Sequence, residues 1–209
     1  MARRACRCVC NSPERGRNDP AGQPPDARLK LNSLFQHILG AAFGELPPQV
    51  QRIHDARPRK VYTGRCAVER GDGLLVRLMA RLARLPAAGT QIPVTVTIEG
   101  GAGRESWRRR FGSHAMDSVL WQRAGLLHER LGAVTLRFVL LATEGEIQWQ
   151  LRGARLLVLP LPRAWFQRCT AREFIEGGRY GFDVNVELRG IGLLVRYRGW
   201  LTEHESAHA

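Results

Sequence analysis

Tyr180-Gly181-Phe182-Asp183-Val184-Asn185-Val186-Glu187-Leu188-Arg189 is the stretch that decides the fold. Successive side chains of an extended chain point to opposite faces, so Tyr180, Phe182, Val184, Val186 and Leu188 share one side. Gly181, Asp183, Asn185, Glu187 and Arg189 share the other. One oily face and one wet face mark an antiparallel strand covering a core.

The same period recurs upstream. Val94, Val96 and Ile98 alternate with Thr95 and Thr97; Val134, Leu136, Phe138 and Leu140 alternate likewise, as do Ile147, Trp149 and Leu151. Glycine clusters at Gly100-Gly101-Ala102-Gly103 and Glu176-Gly177-Gly178 supply the positive φ that tight hairpins need. About eight to ten strands in this length predict a strongly curved antiparallel sheet, a half-barrel or a barrel. The fold class expected is α+β and mainly β, with two helices before the sheet and one helix crossing or lidding it.

The first helix is predicted to start at the cap Ser33 and run through Leu34, Phe35, Ile38 and Leu39, with Ala41, Ala42 and Phe43 continuing its pattern. Leu46-Pro47-Pro48 breaks and restarts the chain, since proline is tolerated in a first turn. The second helix, Gln49 to about Asp55, would bury Val50 and Ile53, and His54 would favour its C-terminal end. In the third, Gly73–Pro86, Leu74, Leu75, Leu78, Met79, Leu82 and Leu85 form an arc of about 140° beside Arg77, Arg81 and Arg84. Such a helix can lie on an anionic membrane. The commoner arrangement packs the oily arc on the sheet and leaves the arginines in water, and that is the expectation here, so peripheral membrane contact is not favoured.

Residues 1–32 and 204–209 are expected to be disordered around a single globular domain, 33–203. The front segment is rich in Arg, Pro and Gly and poor in large apolar groups, and it lacks the apolar stretch of a secretory signal. Lys30 and Lys60 are the only lysines, and the net charge of +13 is carried by arginine spread along the chain. A spread excess predicts loose attraction to polyanions, with no specific nucleic-acid site. Five cysteines without a framework of spacings fit a reducing compartment, and a cytoplasmic location is expected. Cys6, Cys8 and Cys10 have poor zinc-ligand spacing and the six histidines make no ligand motif, so neither a metal nor a cofactor is expected.

Gly71-x-Gly73 stands where a dinucleotide fingerprint would, but Val76 occupies the third glycine position. Ser113, His114, Asp117 and Ser118 include triad residue types without a nucleophile elbow, and are read as turn polar groups. The candidate ligand-binding residues are Glu173, Arg196, Tyr197, Arg198, Trp200 and Arg109. If the strand from Ala171 pairs near Arg196–Trp200, Glu173 meets Arg196 or Arg198 in an ion pair. That pair would hold an acidic headgroup, tune a glutamate for catalysis, or simply tie two strands together, and the last is the expected role.

A string of motifs is familiar in order: Leu46-Pro47-Pro48, Tyr62-Thr63-Gly64-Arg65, Ile92-Pro93-Val94, Trp107-Arg108-Arg109-Arg110-Phe111-Gly112, Leu159-Pro160-Leu161-Pro162-Arg163, Ala171-Arg172-Glu173 and Gly192–Leu201. Over about Leu34 to Thr202 the chain resembles the bacterial domain-of-unknown-function 4166 family. The resemblance implies a module found alone or behind a saccharopine-dehydrogenase-like oxidoreductase, and assigns no catalytic residues. The leading expectation is a non-catalytic module that binds a small apolar or amphipathic ligand in the curved sheet. The alternatives are an accessory domain for a separate NAD(P)-dependent oxidoreductase, and an enzyme using Glu173 near Arg196 and Arg198.

Overall fold

A computed structural model describes residues 32–57, 59–101 and 103–204, so the segments expected to be disordered lie almost wholly outside the described residues. Helix α1 (Leu34–Leu39) opens on the predicted cap. Gln36 donates its backbone N–H to the Ser33 hydroxyl and its side-chain oxygen accepts the Ser33 N–H, which satisfies two orphan amides reciprocally. The apolar pattern past Leu39 continues as a 3-10 turn, Gly40–Glu45, because Gly40 leaves helical geometry at φ 58°. Helix α2 (Pro48–Ile53) buries Val50 and Ile53.

Eleven strands follow: β1 (Arg59–Glu69), β2 (Gly89–Gly101), β3 (Arg104–Phe111), β4 (His114–Arg123), β5 (Leu126–Leu131) and β6 (Val134–Thr143), then β7 (Glu146–Leu156), β8 (Leu159–Leu161), β9 (Thr170–Glu176), β10 (Arg179–Leu188) and β11 (Gly192–Glu203). Each pairs antiparallel with its neighbour in sequence from β1 to β7, then β7 with β9, β9 with β10 and β10 with β11. Strand β11 returns to β1 with Tyr62 opposite Glu203, which closes a ten-stranded barrel. Short β8 extends one side of β7 at the rim. Closure removes the open edges that a half-barrel would leave. No described helix is long and apolar enough to cross a membrane.

The chain enters the barrel at one end and turns over it at the other. Leu34, Phe35, Phe43, Leu46, Val50 and Ile53 join the interior core with Ile98, Leu120, Leu127 and Ile147, so α1, the 3-10 turn and α2 plug the end where β1 begins. Helix α3 (Leu74–Leu82) connects β1 to β2 over the opposite mouth. Gly71, of the Gly71-x-Gly73 pair that falls short of a dinucleotide fingerprint, has a packing reason: a Cβ there would lie 1.9 Å from the Leu193 carbonyl oxygen.

Helix α3 departs from expectation. Its buried residues are Val76 and Ala80, which pack with Ala154, Phe166, Leu188 and Leu194 at the rim. Of the leucine arc, Leu74, Leu75 and Leu78 are exposed, whereas Met79 and Leu85 pack against the core. Small side chains let the helix approach the wall on one side, and the leucines on the adjoining side hang over the opening.

Candidate functional site

Between the plug and α3 the barrel encloses a cavity of about 410 Å³. Its walls are the inward positions of the alternating strands, among them Val94, Val96, Phe111, Leu136, Phe138, Leu151, Phe182 and Val184, and its roof includes Leu75, Leu78, Met79 and Leu82 of α3. The expected period-two faces therefore do turn inward, but they stop short of filling the space they surround.

Polar groups gather on the wall toward the N-terminal plug. Arg109 of β3 faces inward while its neighbours Arg108 and Arg110 face out. It donates to Glu129 of β5 at 3.0 Å and to the Ser118 hydroxyl of β4 at 2.9 Å, and lies 4.7 Å above the Trp107 ring. Glu173 of β9 also faces inward and binds Nε2 of His54 at 2.5 Å. His54 follows α2 and is fully buried, stacked on Phe35 at 3.6 Å between ring centroids. Nδ1 has no partner among the described residues, and through Nε2 His54 fixes the carboxylate from behind while Glu173 presents itself to the cavity. Burial, with the Glu173 carboxylate beside it, pushes the Tyr180 phenol well above its usual range. The Trp149 indole Nε1, on a cavity-lining residue of β7, has no hydrogen-bond partner among the described residues.

Of the residues singled out from sequence, Glu173, Arg109 and Tyr197 come together around this cavity. Arg196, Arg198 and Trp200 do not. They occupy the opposite parity on β11, outside the barrel: Arg198 pairs with Glu176 at 2.8 Å, Arg196 lies 3.9 Å from Asp183, and Trp200 stacks under Arg179. The expected ion pair of Glu173 with Arg196 or Arg198 fails for two reasons. Strand β10 stands between β9 and β11, and Glu173 aligns through Phe182 with Gly199, not with either arginine. The ion pairs on the outer wall use other carboxylates, Asp183 and Glu176.

His54, Glu129, Ser118 and Trp149 were not anticipated as site residues, and His54 serves a buried hydrogen bond and not merely a helix end. Below them Lys60, one of only two lysines, is buried with its ammonium donating to the Asp55 carbonyl at 2.7 Å. Glu105 is buried nearby and accepts from the Trp107 indole at 2.9 Å. One of only two lysines, at an inward position of a strand in a chain that otherwise favours arginine, is a sequence signal for this layer. The thiols of Cys66 and Cys169 are both pushed up to about 11 by burial, which makes them poor nucleophiles.

The fold and site together define an antiparallel up-and-down barrel built around an apolar internal chamber with a polar patch on its wall. The chain belongs to the family described as domain of unknown function DUF4166, whose model matches residues 46–201. That match spans the plug from Leu46, the lid helix and the barrel strands to Leu201, two residues short of the end of β11. No curated protein matches the chain.

Proposed function

We propose that the barrel binds one small apolar or amphipathic molecule in its chamber. The observation that carries this reading is the unfilled interior of about 410 Å³, which falls in the usual range for small-molecule sites and is walled almost entirely by apolar side chains. Interiors ordinarily close-pack, and a cavity forfeits dispersion contacts for every residue lining it. An apolar body beneath α3 restores those contacts. A polar end beside Arg109, Trp149 and Glu173 finds donors and an acceptor already oriented by Glu129, Ser118 and His54.

Titration with the environment-sensitive dye anilinonaphthalene sulfonate tests this directly. Saturable binding of one dye per chain is expected, and Ala171→Trp, which fills the chamber from β9, should abolish it while leaving the circular dichroism spectrum unchanged. Dye binding that is absent, or indifferent to Ala171→Trp, overturns the reading.

A second reading is favoured by one observation, the burial of Glu173 in the chamber with His54 bonded behind it. A carboxylate so oriented is placed to take a proton from a bound molecule and return it elsewhere, chemistry that needs no cofactor. The check is to incubate the molecule that co-purifies with the chain in deuterated water. Enzyme-dependent deuterium incorporation, lost in Glu173→Gln, supports catalysis; no incorporation leaves binding as the sole function.

A further inference from the structure

The strongest unexplained feature is at the mouth of the barrel. Leu74 is 85% exposed on α3, and Leu157, Val158 and Leu159 at the β7–β8 turn are 72%, 84% and 66% exposed. Hydrogen bonds link the two elements: Ala133 of the β5–β6 turn donates to the Leu82 carbonyl at 3.2 Å, and Leu157 donates to the Ala133 carbonyl at 2.7 Å. Leu75 and Leu78 on one element, and Leu156 and Leu161 on the other, line the chamber itself, so the exposed apolar side chains rim its opening.

Exposed charge at this rim is mainly basic, with Glu69 and Asp72 just ahead of α3 as acids beside it. From Gly73 to Ile98 the chain has three arginines and no acid, and from Ile147 to Arg172 five arginines and no acid. Arg77 and Arg81 are exposed on α3 and Arg84 just past its end, and Arg155 and Arg163 are exposed beside the β7–β8 turn. Five exposed arginines therefore stand beside the exposed leucines and valine of the mouth.

We propose that the mouth of the barrel docks on an anionic lipid bilayer. Exposed leucine and valine side chains enter the acyl boundary, and the arginines beside them lie at the level of the anionic headgroups. The charge pattern favours this occupant over a second copy of the chain, because a two-fold contact would set the same arginines against one another. Docking places the chamber's opening at the lipid surface, so an apolar molecule passes between bilayer and barrel without crossing water. That exchange rests on the ligand-binding reading; docking itself does not.

Co-sedimentation with vesicles tests it, using the whole chain and phosphatidylcholine alone or mixed with phosphatidylglycerol. Sedimentation with the phosphatidylglycerol vesicles only is expected, weakened at about 0.5 M salt. The double variant Leu74→Glu, Val158→Glu should reduce it at least about tenfold, since it removes insertion and adds repulsion. Both sites are exposed, so folding and dye binding in the chamber should be unchanged, which separates failure of docking from failure of ligand binding. A wild-type chain that stays in the supernatant, or a double variant that sediments equally well, overturns the proposal. So does a wild-type dimer in size-exclusion chromatography that the double variant dissociates, because the patch then belongs to a second copy.

Discussion

Glu105 sits at the foot of the barrel wall with Trp107 donating to it and Lys60 close by, and burial dominates the behaviour of both charged groups. Desolvation raises the Glu105 carboxyl above its ordinary range, although His54, the Trp107 bond and Lys60 all favour its ionised form. Desolvation likewise lowers the Lys60 amine. The sign for stability follows from linkage. Folded Glu105 holds its proton more tightly than the unfolded chain does, so its contribution is fully present below the unfolded value of about 4.3 and is lost as pH rises through the higher folded value. Glu105→Gln, which keeps an acceptor for Trp107, should therefore be more stable than wild type at neutral pH by about 1 kcal/mol, with the difference closing toward about pH 4. Urea midpoints across that range check it, and a variant less stable at neutral pH contradicts the account. His54 and Glu173 illustrate the same scale differently. Breaking such a buried pair leaves one polar partner without its bond, which is why the pair holds α2 to β9 as well as orienting a carboxylate.

Helix α3 shows what an element inherits from its neighbours. Its amphipathic pattern was legible, but the face that packs was not, because the helix meets a rim on one side and an opening on the other. Val76 and Ala80 are buried for their small size, and the larger Leu74 and Leu78 are left out. The junction into α3 depends on close backbone approach at Gly71, where a Cβ would meet a β11 carbonyl oxygen that cannot turn aside. Gly71→Ala is expected to cost about 2 kcal/mol or more by thermal or urea unfolding. Gly101→Ala, in the β2–β3 hairpin where an added Cβ meets nothing within 4 Å, should be nearly neutral. Equal costs at the two positions would show that the Leu193 contact is not what requires glycine.

At the scale of the whole molecule, the strand alternation around Tyr180–Leu188, the Ser33 cap, the glycine hairpins and the mainly β class were all set by the sequence itself. Each depends on residues a few positions apart, where backbone geometry alone relates one side chain to the next. The family could also be read there, from an ordered series of short motifs. Tertiary structure alone decided that β11 closes on β1, because that contact joins residues about as far apart as the domain allows. It alone brought Arg109, Glu129 and Glu173 from three strands around one chamber, with His54 from the end of a helix behind Glu173, while sending Arg196 and Arg198 outside. Strand parity fixes which neighbours share a face, but which strands lie side by side is settled by long-range pairing, and a site built across four elements exists only once that pairing is complete.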